Sequence, residues 1–189
     1  MDAIIIMHGG PGTGKTTLGR RLAETFGIPY FSKDGVKEPM FDHVGLPVAW
    51  ETDDGLSGRR MDDAAQTILF YIIEEHLAAH RSCIIDSTFS APHAPRFQDL
   101  LARYPLTLVQ VLCRTEANEL RKRWQRRADT GERHLGHNDR ELAKRLDPVG
   151  IEKVFGHLEI GGLQLTVDTT RRLQGSDYAQ LVDSIENCD

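Results

Sequence analysis

Gly9-Gly10-Pro11-Gly12-Thr13-Gly14-Lys15-Thr16 spells G-x-x-x-x-G-K-[ST]. Glycines at these spacings let successive backbone N–H groups converge on phosphate oxygens, and a helix beginning near Lys15 would turn its positive end toward the same charge. Lys15 has the reach for β- and γ-phosphates, and the Thr16 hydroxyl is the expected contact to Mg2+. Gly10, Gly12, Thr13, Gly14, Lys15, Thr16 and Thr17 are therefore the expected nucleotide contacts, with ATP and Mg2+ as the cofactors. A guanine-reading Asn-Lys-x-Asp does not occur in the chain, and the Asp-x-x-Gly at Asp42 to Gly45 follows no apolar strand.

Two carboxylates stand where a phosphoryl-transfer site needs them. Asp34, in Ser32-Lys33-Asp34-Gly35-Val36-Lys37, follows a short second strand, and in a parallel sheet it would emerge on the same edge as the phosphate loop. There it can take the proton of an acceptor hydroxyl, or cap the next helix, and the two roles can coexist. Asp86 closes Cys83-Ile84-Ile85-Asp86 at the corresponding edge, ahead of Ser87 and Thr88. It occupies the place of a metal-side carboxylate, and its alternative is a turn-forming aspartate.

Positive charge is concentrated in Arg121, Lys122, Arg123, Arg126, Arg127 and, past Gly131, Arg133. Charge spreading over γ-phosphate oxygens needs such compensation, and a helix followed by a glycine-hinged lid at about 128–140 could deliver it on closing. Arg123 and Arg127 share a helix face and, with Arg133, are the chosen candidates; at least half of the run should be a solvated face. His134, His137, Asp139 and His157 show no metal-ligand spacing, and His134 is assigned to ordering the lid.

These groups need a scaffold of alternating elements. Residues 3–7 read as a strand buried on both faces, and Leu18, Leu22 and Phe26 give helical spacing from Lys15 to a stop at Gly27. A second helix follows Asp34, residues 44–60 read as a long loop carrying Trp50, and 61–79 is the strongest helix, with Ala65, Ile68, Leu69, Ile72 and Leu77 on its apolar side. Strands at 83–86, 106–112 and 163–167 alternate with helices ending near Tyr104, over 115–128, around 139–155 and near 176–187. Repeated βα units imply one α/β domain over 1–189 with a mostly parallel sheet covered on both faces.

The totals agree with this reading. The chain has 189 residues, 40% hydrophobic content and a formal net charge of -5, enough for one cored domain and unfavourable for a surface devoted to duplex nucleic acid. Three scattered cysteines and no apolar run of spanning length suggest a reduced, cytoplasmic setting without a membrane. Residues about 34–60 are the expected acceptor pocket.

Taken together, Gly9 to Thr16, Ser32-Lys33-Asp34 with Lys37, Ile84 to Thr88, the arginine lid and Val167-Asp168-Thr169-Thr170 resemble the small P-loop kinases that include the zeta-toxin, chloramphenicol phosphotransferase and 5′-polynucleotide kinase groups. The likeness spans nearly the whole chain, and is greatest to the subgroup of ATP-binding kinases with Lys-Asp-x-x-Lys-Glu, here Lys33 to Glu38, and Arg-His-x-Gly-His, here Arg133 to His137. It implies a five-stranded parallel sheet with helices on both faces and Asp34 as general base. It also implies Lys37, Asp86 and Ser87 on the acceptor, Asp86 with Thr16 at the metal, lid arginines on the phosphates, and Thr170 in a loop beside adenine. Polynucleotide kinases carry arginine where Lys37 stands, and lysine lacks the bidentate fork that a phosphate takes. The leading expectation is ATP-dependent transfer to a hydroxyl of a small molecule; the alternatives are a 5′-hydroxyl polynucleotide kinase and a nucleotide-gated switch that transfers nothing.

Overall fold

Ala3–His8 (β1) places three isoleucines in succession, and all six of its residues are buried, as a strand covered on both sides requires. It is the central strand of a computed structural model that describes residues 3–44, 56–130, 134, 137, 147, 150 and 154–188. Lys15–Phe26 (α1) follows, ended by Gly27 in the left-handed conformation, then Tyr30–Ser32 (β2) and Lys33–Val44 (α2). Leu56–Ala78 (α3), Cys83–Asp86 (β3), Ala94–Arg103 (α4) and Thr107–Arg114 (β4) come next. Ala117–Thr130 (α5), Leu163–Asp168 (β5) and Gly175–Glu186 (α6) complete the described elements.

The sheet has the order β2-β3-β1-β4-β5, with every pairing parallel. Alternation along β1 divides the core. Ile4 and Ile6 pack with Leu69, Phe70, Ile73 and Phe97 from α3 and α4, whereas Ile5 and Met7 pack with Leu18, Leu22, Leu181 and Ile185 from α1 and α6. Because β1 lies between β3 and β4, the chain reverses its direction of travel across the sheet there, and in sheets of this kind ligands bind at the C-terminal strand ends beside such a reversal. The expected single α/β domain with a five-stranded parallel sheet and helices on both faces is what is found.

Two features of α3 differ from the sequence reading. It begins at Leu56, so 56–60 are helix rather than the end of a loop; 45–55, with Trp50, lie outside the described residues. Its buried stripe is Met61, Ala65, Leu69, Phe70, Ile73 and Leu77, while Ile68 is exposed. Residues 68–73 are apolar around almost the whole helix circumference, so periodicity gave no single face and packing chose one. The helix expected around 139–155 and the lid expected at 128–140 lie largely outside the described residues: α5 extends to Thr130, and between it and Gly156 only His134, His137, Asp147, Gly150, Val154 and Phe155 are described. Among the described residues no helix is long and apolar enough to cross a membrane.

Candidate active site

The phosphate loop leaves β1 through Gly9, whose φ of 131° and position against β4 both demand glycine: a Cβ there would stand 2.4 Å from the Cys113 carbonyl oxygen. Gly12 has φ +84°, and its Cβ would meet the Trp124 indole nitrogen at 2.7 Å. Gly10, Gly12 and Thr13 are buried, Gly14 is half-buried, and Thr16 and Thr17 are exposed in the first turn of α1. The Thr13 hydroxyl donates to Gly10 O at 2.8 Å, and Lys15 Nζ donates to the same carbonyl at 3.0 Å. The Lys15 ammonium is therefore held back on its own loop. A cradle that only glycine fits, with a lysine and a helix N-terminus facing it, suits a nucleotide phosphate chain.

Beneath the loop lies a support the sequence reading missed. Trp124 Nε1 donates to Pro11 O at 2.9 Å and packs with Leu120, one turn earlier on α5. Buried Thr169 donates to Thr13 O at 2.5 Å or to Arg114 O at 2.7 Å, and its hydroxyl lies 2.9 Å from that of Thr115. Arg123 spans the same layer. Its guanidinium donates to Thr169 O at 2.7 Å, Thr170 O at 3.0 Å, Gly12 O at 3.3 Å and the Thr115 hydroxyl at 3.4 Å, and its Nε to Glu119 at 3.0 Å. Arg123, expected on the phosphates, here meets backbone carbonyls of the loop and of the segment after β5, because Trp124 of α5 packs against Pro11 and Gly12. A leucine and a tryptophan four residues apart in an otherwise charged helix are the sequence signal that could have revealed this buttress.

Thr170, expected beside adenine, is half-buried; its hydroxyl accepts from Glu116 N at 2.9 Å and its own N–H donates to Asp168 at 2.8 Å. The hydroxyl and N–H of Thr170 both hydrogen-bond to Asp168 and hold its carboxyl below the usual range. Arg127 is half-buried on α5, Arg121, Lys122 and Arg126 are exposed, and Arg133 lies outside the described residues.

On the other side of the loop, the Thr16 hydroxyl donates to Asp86 Oδ2 at 2.7 Å, and the Tyr30 hydroxyl donates to the same oxygen at 2.6 Å. Burial, then the Asp86 charge and hydrogen bond, push the Tyr30 hydroxyl far up, so it is a permanent donor. A carboxylate beside a threonine hydroxyl is a hard-oxygen set, and it fits the waters and phosphate oxygens with which Mg2+ surrounds itself. Asp86, at 4% exposure, is thus joined directly to the phosphate loop and is not merely a turn former.

Register aligns the strand ends. Ser32 pairs with Asp86, and Asp86 with Met7, so the ends of β2, β3 and β1 form one row. Ser32 caps α2, accepting from Gly35 N at 3.0 Å, so the capping role falls to Ser32 rather than to Asp34. Asp34 is half-buried in the first turn of α2, just beyond the row. Lys37 is buried and lies 3.1 Å from Asp62 Oδ1, which also takes Lys33 at 3.0 Å. Burial alone would raise the Asp62 carboxyl, but the Lys33 and Lys37 charges and hydrogen bonds outweigh it and hold it below the usual value. Ser87 is buried and donates to Gln66 Oε1 at 2.9 Å. Asp62, Gln66 and Tyr30 were not singled out from sequence; they lie on other elements, and only tertiary packing brings them here.

His134 Nε2 lies 3.0 Å from Asp42, and His137 Nε2 lies 3.0 Å from Glu38, so these histidines meet carboxylates one turn apart on α2. Buried His8, also unanticipated, packs edge-on to His157 at 5.4 Å. Burial, then His157 and the Lys15 charge, push its pKa down to about 3, so the ring is neutral at ordinary pH. Cys83 and Cys113 are buried and free, with thiols pushed up to about 12 by burial, as small apolar residues would be. Among the described residues no group of three or more metal-ligating side chains gathers.

No curated protein sequence matches the chain. Among solved structures, one from Chloroflexus aurantiacus j-10-fl, described as a candidate kinase, is 32% identical, with a TM-score of 0.77 over 97% of this chain and 93% of that one. A sugar kinase from Janibacter sp. HTCC2649 is 17% identical (TM-score 0.53, 97% and 91% covered), and a gluconokinase from Sinorhizobium meliloti 1021 is 18% identical (TM-score 0.50, 97% and 95% covered). These two share the fold. Residues 4–147 match the family described as AAA domain, a span that holds the phosphate loop, Asp34, Asp86 and α5. By that match and by the 32% relative, the chain belongs to the AAA domain family, as a kinase-like P-loop domain.

Proposed function

We propose that the protein is a phosphotransferase that moves the γ-phosphoryl group of ATP to a hydroxyl of a small-molecule acceptor, within the zeta-toxin, chloramphenicol phosphotransferase and polynucleotide kinase group. The observation that carries this reading is the row of strand ends. Asp86 bonds Thr16 of the phosphate loop, Ser32 is its register partner, and Asp34 follows in the first turn of α2. One carboxylate serves the metal side and a second stands over the acceptor side.

Each residue then has a task. The loop N–H groups of Gly10 and of Gly12 to Thr17 hold the phosphates, and Lys15 exchanges Gly10 O for a phosphate oxygen. Thr16 and Asp86 would hold Mg2+, which when bound neutralises charge on the β- and γ-phosphate oxygens. Asp34 takes the proton as the acceptor oxygen bonds to the γ-phosphorus and the bond to the β–γ bridging oxygen breaks, releasing ADP. Arg127 and Arg133 supply charge from α5 and the lid, while Arg123 positions the loop from below. The Chloroflexus relative, described as a candidate kinase, supports the class. The acidic net charge and the pairing of Lys37 with Asp62 favour a small acceptor over an oligonucleotide end.

The test is turnover of γ-labelled ATP with Mg2+ against pooled sugars, nucleosides, antibiotics and 5′-hydroxyl oligonucleotides, with Lys15→Ala and Asp34→Asn as controls. Asp34→Asn is expected to lower kcat by about 10^2–10^4 with nucleotide affinity unchanged. Equal transfer by that variant would refute Asp34 as the base. Tight ATP binding with no labelled product would favour a nucleotide-gated switch.

A further inference from the structure

Along α3, Leu77, Ile73 and Phe70 are buried and apolar; toward its N-terminus Ala65 and Met61 stay buried, but Gln66 and half-buried Asp62 stand beside them. Because α3 feeds β3 at the opposite edge of the sheet, this end lies at the catalytic edge, where Ser87 follows Asp86. Gln66 is only 9% exposed. Its Oε1 accepts the Ser87 hydroxyl, which fixes the amide plane, yet its buried Nε2 has no hydrogen-bond partner among the described residues. Folded proteins leave few such donors unmatched, and an apolar residue like Phe70 would have filled the same stripe without the loss.

One turn earlier, Asp62 gathers Lys33 and Lys37, with Asp34 on the same first turn of α2 as Lys33. Two ammoniums meet the Asp62 carboxylate one helical turn from the Gln66 amide, with Asp34 in the same turn of α2 as Lys33, and the formal charges of the two lysines and two aspartates cancel. A ligand that meets donors and acceptors together without adding charge is rich in hydroxyl groups, whereas a flat apolar ring would leave these groups unmet.

We propose that Gln66 is a specificity-determining residue whose Nε2 donates to a hydroxyl oxygen of a polyhydroxylated acceptor, a sugar or polyol. This rests on the phosphotransferase reading above. The Ser87 hydroxyl aims the amide, and the transferred phosphoryl goes to another hydroxyl of the same molecule, within reach of Asp34.

Acceptor kinetics with γ-labelled ATP and Mg2+ test this on D-glucose, D-glucitol, D-gluconate, uridine and a 5′-hydroxyl oligonucleotide, in the unmodified protein, Gln66→Met and Gln66→Glu. Gln66→Glu keeps an oxygen for Ser87 but puts an acceptor, and a carboxylate charge, where the donor stood; Gln66→Met removes the donor without adding charge. The expected result is phosphorylation of a sugar or polyol whose KM rises about tenfold in both variants, the loss of one hydrogen bond, with KM for ATP changed less than about twofold. If Gln66→Met does not fold, Gln66→Glu is read together with the Gln66 side-chain NH2 resonances of the 15N-labelled protein, which should shift when the phosphorylated probe joins Mg·AMP-PNP. Lowered stability with unchanged KM, or equal changes in both KM values, overturns the proposal in favour of a structural glutamine. Phosphorylation of uridine or the oligonucleotide alone overturns it and leaves the phosphotransferase reading standing. No labelled product from any probe counts against both.

Discussion

Arg123 separates two ways in which a basic helix can serve a phosphate site. Its bonds to Thr169 O at 2.7 Å and Thr170 O at 3.0 Å are short and charge-assisted; those to Gly12 O and the Thr115 hydroxyl are long. Crediting each short bond with about 1.5 kcal/mol, the low end for charged partners, and neglecting the long ones gives about 3 kcal/mol for Arg123→Ala. Lysine keeps the charge but not the fork, and can recover one of the two, so Arg123→Lys should lose about 1.5 kcal/mol. Urea unfolding without nucleotide reads these losses directly, and for a chain of this size the alanine variant should melt about 6–12 °C lower. ATP affinity should fall with the loosened loop, while kcat at saturating ATP stays within about fivefold. If both variants unfold within about 0.5 kcal/mol of the parent while kcat falls 100-fold or more, as removal of a phosphate-contacting charge would do, the buttress argument fails and Arg123 acts on the transferring group.

Two further outcomes follow from buried charge. His8 has a folded pKa of about 3, below the ordinary 6.5, so the unfolded chain binds the extra proton: stability is full above pH 6.5 and falls by about 1.4 kcal/mol for each pH unit toward 3. His8→Leu should flatten that limb by about one proton in unfolding titrations between pH 6 and 4, and an unchanged slope would refute the assignment. Asp62→Asn leaves Lys33 and buried Lys37 without their shared carboxylate and should cost about 2 kcal/mol at pH 7, discounted for the partial exposure of Asp62. Because the folded Asp62 pKa is depressed, that difference should persist above the ordinary aspartate range and vanish as pH falls through the folded value, which paired unfolding curves would show.

The phosphate loop was legible because its chemistry is local: eight consecutive residues and the flanking strand and helix specify it. The parallel sheet was legible for a similar reason, since β1, β3 and β4 are short buried runs separated by helical periods. Asp34 and Asp86 could be placed because strand ends in a parallel sheet share an edge. What sequence could not supply was partnership across elements. That Lys37 meets Asp62, that Ser87 meets Gln66, or that Arg123 meets the Thr169 and Thr170 carbonyls depends on how α3 and α5 are rotated against the sheet. In α3 the apolar run 68–73 left that rotation open, and Ile68 was assigned to the wrong side. In α5 the charges drew attention from Leu120 and Trp124, the residues that set its orientation.

The indole under the phosphate loop also makes the molecule its own optical probe. The chain has two tryptophans, Trp50 and Trp124, and the second hydrogen-bonds to Pro11 O with its ring against Gly12. Indole emission responds to the field and hydrogen bonding at its nitrogen, so any tightening of Pro11 and Gly12 around a phosphate chain is transmitted to the fluorophore through one bond. With Trp50 replaced by phenylalanine, loop occupancy becomes a colour and intensity change read from a single buried site, without label or coupling enzyme.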